Sequence, residues 1–329
     1  MDLEMIKARS LLYRNIRNFF DSRNYLEVET PVLSPGLIPE PTIENFSTLF
    51  QNEFVGTREL YMVPSPEVFM KKIIAESQSS IYQISKCFRN SEQLGRLHNP
   101  EFTMLEYYTV GYDEKDSIGL TEQLFAETAL AGCPEGLKNG FEVISMADVL
   151  KRETGLDLDE LQDYRVLLKR ARELGLVIDE SVREGWDDTF NRIFINFVEP
   201  SLVGPRPIVI TGYPRQIECL AKDEGIVKKR WELYWEGVEI ANCYMEETSQ
   251  AKVEDYCRRE YAALSASRAA SGMVIPDLDE DFCSIFGGPE GVRFPECSGV
   301  AIGLDRLLMV ECKKNSIGDL ILFPFSDII

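Results

Sequence analysis

At 329 residues, with 44% hydrophobic and 27% charged side chains, the chain has the composition of a soluble globular protein and the length to bury a large core. No apolar run reaches membrane-spanning length and the opening MDLEMIKARS lacks the layout of a signal peptide, which argues against a membrane partner and predicts a cytoplasmic address. A formal charge of −20 disfavours extensive nucleic-acid binding, and eight scattered Cys without a C-x-x-C, beside a single His, argue against a disulfide framework or a zinc site.

Taken in order, Met5, Ala8, Leu12, Ile16 and Phe19 recur at helical spacing, predicting an amphipathic helix over Met5–Phe20. A turn at 21–24 leads to alternating Leu26 and Val28 and a stop at Pro31. Residues 34–41 are Pro-rich and predict a loop, and strand-compatible runs over 46–63 follow. Ser65-Pro66-Glu67 then precedes a helical stretch, Val68–Ala75. A carboxylate there suits either the helix dipole or an ammonium ligand.

Two alternating runs, Ile81–Arg89 and Glu101–Val110, predict a hairpin with a polar connection holding Arg89, Asn90, Glu92, His98 and Asn99. On its return strand Phe102, Met104, Glu106 and Tyr108 share one parity and so one face. A ring beside an Arg, with acids further along, suits a nucleotide triphosphate next to a cationic small molecule. Residues 113–205 are rich in helix formers and acids, with 161–176 and 189–199 as helices, and 207–214 predicts a short buried strand. In Trp231–Glu247, Asn242, Tyr244 and Glu246 share a parity, whereas Glu239 needs a bulge to join them. The last pattern, Cys297–Met309, is a strand turning into an apolar helix, with Gly303 at the turn and Arg306 in the first helical turn.

The wording F-R-N…H-N-P-E-F-T-M-L-E resembles motif 2 of the class II aminoacyl-tRNA synthetases, closest to the lysyl branch. The opening helix, strand and Pro31 resemble motif 1, and Gly303-Leu-Asp-Arg306 resembles motif 3. The resemblance implies an α+β fold, an antiparallel sheet flanked by helices, in a single catalytic domain over 1–329 with a mainly helical insertion at about 113–205. It implies ATP and Mg²⁺ as cofactors. Arg89 and Arg306 would be the catalytic pair, holding the α- and γ-phosphates, with Arg306 and Phe102 on opposite faces of the adenine. Asn90, Glu92, His98, Asn99, Ile240 and Gly303 would complete the nucleotide side, Glu92 at the adenine. Glu239 and Glu246 would bind the metal, while Ser65, Glu67, Glu106, Tyr108, Asn242, Tyr244, Glu246 and Ala301 would hold the amino acid. The chain departs from the lysyl pattern at Cys243, Tyr244 and Ala301, and its motif 2 loop is one residue longer.

The whole chain further resembles the elongation factor P-lysine ligases, truncated paralogues of the lysyl enzymes. Motif 1 begins almost at residue 1, so an N-terminal anticodon-binding domain is not expected and tRNA binding is disfavoured. The resemblance implies a homodimer that activates (R)-β-lysine, or lysine, as an adenylate and transfers it to a lysine side chain of elongation factor P. The substrate carboxylate attacks the α-phosphate, so no protein nucleophile is needed and catalysis is positioning plus charge stabilisation. Two alternatives stand beside it: adenylation of α-lysine or another amino acid for a different acceptor such as tRNA, and a silent paralogue acting as a binding module. The retained Arg89, Glu239, Glu246 and Arg306 argue against the silent form.

Overall fold

A computed structural model describes residues 2–91, 94–178, 184–269, 271–288 and 293–328. The first helix, α1 (Leu3–Asp21), starts where the Asp2 side chain accepts the Glu4 N–H at 2.9 Å, satisfying one of the orphan donors of a helix start. Its apolar stripe of Leu12, Ile16, Phe19 and Phe20 is buried, and Phe20 stacks on Tyr82 with ring centroids 4.6 Å apart. After it, β1 (Leu26–Glu27) pairs in parallel with β5 (Ile81–Phe88). A small sheet is formed by β2 (Leu33–Ser34), β3 (Ser47–Asn52) and β4 (Gly56–Met62), with β4 in the middle. Helix α2 (Glu67–Ser77) follows.

The main sheet continues with β6 (Glu101–Val110), β7 (Glu142–Ser145), β8 (Ile208–Pro214), β9 (Asp223–Glu224), β10 (Val227–Trp235), β11 (Val238–Met245) and β12 (Cys297–Gly303). Its order is β1-β5-β6-β12-β11-β10-β8-β7, with β9 on β10. Every pairing except β1·β5 and β7·β8 is antiparallel, and helices flank the sheet, as the α+β expectation has it. One core lies under α1, α3 (Glu114–Thr128) and α8 (Leu304–Glu311), which pack on the central strands. A second gathers α4 (Met146–Thr154), α5 (Tyr164–Glu173) and α6 (Trp186–Ile193) against β8 and Tyr234. A third joins α2 and α7 (Gln250–Arg268).

The stretch expected as a helical insertion contributes more than helices. Glu142–Ser145 forms the edge strand β7, parallel to β8, and α3 belongs to the principal core with Leu120, Leu124 and Phe125. A four-residue edge strand paired with residues more than 60 positions away leaves no periodicity to find locally. All eight cysteines are free. Among the described residues no helix is long and apolar enough to cross a membrane.

Candidate active site

The strand ladders carry one face of β6 across two neighbours. Met104 lies opposite Gly303, Glu106 opposite Ala301 and Tyr108 opposite Gly299; the next ladder sets Ala301 beside Asn242 and Gly299 beside Tyr244. Directly opposed residues point to the same side of a sheet. The rows Glu106–Ala301–Asn242 and Tyr108–Gly299–Tyr244 therefore form the floor of the site, and small residues on the middle strand make that floor concave. At Gly299 nothing larger fits, since a Cβ would lie 2.4 Å from the Tyr108 ring and 2.5 Å from Glu246 Oε1. A Cβ at Gly303 would meet no protein atom closer than the Arg306 side chain at 3.8 Å, so the room left there opens into the cavity. Glu239 reaches the floor through the expected bulge: Leu233 pairs with Ala241 but Tyr234 with Glu239, leaving Ile240 as the extra residue.

Two cavities lie on this floor. The first is lined by Arg89, His98, Asn99, Phe102, Glu239, Ile240, Gly303 and Arg306. The Arg89 guanidinium sits 5.3 Å from the Phe102 ring centroid, a cation–π contact that orders both. Arg306 donates to the Glu239 carbonyl at 2.9 Å and to the Leu97 carbonyl at 3.3 Å, and its Nη2 lies 3.0 Å from His98 Nε2. A guanidinium only donates, so that His98 nitrogen accepts, which puts the proton of a neutral imidazole on Nδ1. Behind Arg306, Asp305 accepts the Thr103 N–H at 2.7 Å and pairs with Arg9 at 2.6 Å, fastening α8 to β6 and α1. Asn99 is already engaged: its side-chain amide donates to the Glu101 carbonyl at 2.6 Å and its Oδ1 accepts the Phe325 N–H at 2.9 Å. Asn90 lines neither cavity; its Oδ1 accepts the Ser91 N–H at 2.9 Å. Glu92 lies outside the described residues.

The second cavity brings together Ser65, Glu67, Glu106, Tyr108, Asn242, Tyr244, Glu246 and Ala301, and it meets the first at Arg89, Met104, Asn242 and Ala301. Ser65 Oγ accepts the Glu67 N–H at 3.0 Å, organising the start of α2. One turn further along that helix stands a residue absent from the sequence reading. Lys71 is fully buried and holds Glu67 at 2.5 Å and Glu246 at 2.6 Å. Burial works against the Lys71 charge, but Glu246 and Glu67 outweigh it and raise its pKa. Burial, reinforced by the Glu67 charge, pushes the Glu106 carboxyl up to about 8. Glu246 is pushed to about 7 by burial against the pull of Lys71. We assign Lys71 and Glu246 as a charged pair, because a neutral Glu246 would leave a buried ammonium with Glu67 alone.

Glu239 and Glu246, the two acids expected at a metal, stand in the two adjoining cavities. Glu239 lines the first and Glu246 the second, and each carboxylate has a cation beside it, Arg306 at 3.4 Å from Glu239 and Lys71 at 2.6 Å from Glu246. Enclosure and the nearby Glu232 charge raise the pKa of Glu239, yet Glu232 itself is taken up by Arg230 and by the hydroxyls of Tyr213 and Tyr234, each at 2.6 Å. Among the described residues no three His, Cys, Asp or Glu side chains converge on a metal position. Sequence reasoning also missed Glu40, a further acid of the second cavity, and Gly299. The i, i+4 spacing of Glu67 and Lys71 was the available signal for the helix pair; Glu40, alone in a Pro-rich loop, offered none.

Residues 2–327 match the family described as tRNA synthetases class II (D, K and N). The chain belongs to that family. As a class II synthetase domain it is an ATP-dependent ligase. An elongation factor P–(R)-β-lysine ligase of Proteus mirabilis is 34% identical over 96% of this chain and 93% of its own length. The Vibrio cholerae protein of the same name is 32% identical over 98% and 96%. A lysine–tRNA ligase of Carboxydothermus hydrogenoformans is 30% identical over 98% of this chain and 65% of its own length.

Proposed function

We propose that the protein activates (R)-β-lysine with ATP and transfers the acyl group to a lysine side chain of elongation factor P. The observation that carries this reading is the junction of the two cavities at Arg89. A nucleotide on the Phe102 side and a diamino acid on the Glu106 side put the substrate carboxylate and the α-phosphate at one guanidinium. The carboxylate oxygen attacks the α-phosphorus and pyrophosphate leaves; Arg89 and Arg306 offset the phosphate charge. The acceptor amine then attacks the acyl carbon and AMP departs. Glu106, Glu246 and Glu67 form the acidic end that suits a substrate with two ammonium groups, and Ala301, at the junction, shapes the space between them.

Glu239 and Glu246 are the acids we assign to Mg²⁺ entering with the triphosphate, since Mg²⁺ at such sites takes one or two carboxylates and completes its shell with phosphate oxygens and water. When bound, the ion offsets phosphate charge. The relatives matched over nearly their full length are named for elongation factor P, which supports a protein acceptor over tRNA. A homodimer is supported by the exposed apolar Leu26, Val32 and Leu33 around Pro31.

Amino-acid-dependent ATP–pyrophosphate exchange tests the first half, comparing (R)-β-lysine, α-lysine and a panel of other amino acids. Preference for (R)-β-lysine is expected, followed by a mass increase on elongation factor P after incubation with ATP and that amino acid. Exchange with α-lysine alone, or with no amino acid, overturns the reading.

A further inference from the structure

The loop between the small sheet and the active site is strapped from four sides. Leu37 donates to the Asp277 carbonyl at 2.8 Å and accepts from the Asp279 N–H at 3.2 Å, and Gly36 packs so closely that a Cβ would lie 2.5 Å from the Leu278 carbonyl. Tyr256 reaches the Pro39 carbonyl at 3.4 Å. Arg268, 2% exposed, donates to the carbonyls of Pro41, Ile43 and Val274. The Asn90 N–H donates to the Glu44 carbonyl at 2.9 Å. At the centre is Pro39-Glu40-Pro41, where each proline fixes its own φ and restricts the residue before it. A carboxylate held by so much backbone is preorganised before any ligand arrives.

Glu40 lines the second cavity, and its carboxylate makes no hydrogen bond or ion pair among the described residues. Burial and the Glu67 charge push it up to about 7, against the pull of Arg89 and Lys71. The backbone of this loop pairs at Glu44 with Asn90, the residue after Arg89. Glu40 therefore shares its pocket with Arg89, the guanidinium at the junction with the nucleotide cavity where the reacting carboxylate must lie. The pocket thus holds four carboxylates, Glu40, Glu67, Glu106 and Glu246, against two cations, Arg89 on its lining and the buried Lys71 behind it.

Resting on the diamino-acid reading above, we propose that Glu40 is a specificity-determining residue that receives the substrate ammonium nearer the reacting carboxylate. It makes the site select a diamino acid over an acid carrying only the distal amine.

The test pairs a protein variant with a substrate variant: wild type and Glu40→Gln, each with (R)-β-lysine and with 6-aminohexanoic acid, which keeps the distal amine and lacks the other. A charge-assisted contact of this kind corresponds to roughly 10- to 100-fold. Wild type is expected to favour (R)-β-lysine in kcat/KM for pyrophosphate exchange by that factor or more. Glu40→Gln is expected to lose it for (R)-β-lysine, mostly through KM, with a change under about threefold for 6-aminohexanoic acid. Wild type that exchanges with (R)-β-lysine but does not discriminate overturns the assignment whatever the variant does. Equal losses for both substrates in Glu40→Gln, or no loss, also overturn it while leaving the proposed function standing. No wild-type exchange with any diamino acid overturns the function and this inference together.

Discussion

Lys71 Nζ and Glu246 Oε2 lie 2.6 Å apart with side-chain exposures of 0% and 2%, and the same ammonium reaches Glu67 at 2.5 Å. Lys71 does not line the cavity; it holds two of the cavity's acids from behind. Removing it leaves two carboxylates confined together. Lys71→Met is expected to lower unfolding free energy by about 3–5 kcal/mol, measured by urea denaturation, and to abolish amino-acid-dependent exchange. ATP binding should survive in the folded fraction, because the nucleotide cavity does not touch Lys71.

Gly299 shows how one missing methyl group shapes the pocket. With a Cβ 2.4 Å from the Tyr108 ring and 2.5 Å from Glu246 Oε1, Gly299→Ala must move a ring or a carboxylate that the substrate uses. Overpacking of this kind costs roughly 1–3 kcal/mol. The expected outcome is an amino-acid KM at least about tenfold higher with little change in the KM for ATP. Equal losses on both substrates would contradict the separate roles given to the two cavities.

Much of this was legible from spacing alone. The period of two put Phe102, Met104, Glu106 and Tyr108 on one face, and the odd separation of Glu239 from Asn242 demanded the bulge that Ile240 supplies. What escaped depends on contacts distant in sequence. Arg268 reaches the Glu40 loop across more than 220 residues, and Arg9 reaches Asp305 across nearly 300; no local pattern marks such pairs. Lys71 was hidden for a related reason: strand parity shows where the Glu246 carboxylate points, but not that a lysine stands behind it.

The Arg9–Asp305 pair gives a test of positioning without direct contact with nucleotide. Asp305 is nearly buried and accepts the Thr103 N–H as well, so it fixes the turn from which Arg306 projects. Asp305→Ala is expected to cost about 3 kcal/mol of stability by stranding Arg9 and the amide, and to lower kcat for exchange. Asp305→Asn keeps an acceptor for Thr103 and is expected to restore part of both, read by thermal unfolding and exchange rates side by side.

Glu106 carries the pH prediction. Its folded carboxyl is pushed to about 8 by burial first and by Glu67 and Glu246, against the Ser65 hydroxyl and Lys71; the unfolded value is about 4.3. Between those values the unfolded chain is deprotonated while the folded apoprotein keeps its proton, so this group's contribution to stability falls as pH rises through the window and levels off above about 8. Binding has the opposite slope. A substrate amine with the ~10.4 value of a lysine side chain stays charged throughout, and it needs Glu106 ionised, so below pH 8 the complex must shed a proton to form. Affinity for the diamino acid should therefore tighten between pH 6 and 8, by up to about tenfold per unit, with proton release detectable as a buffer-dependent heat in titration calorimetry. Glu106→Gln should bind more weakly and lose most of that slope. A wild-type affinity that is flat over this range would show that Glu106 is already ionised in the free enzyme.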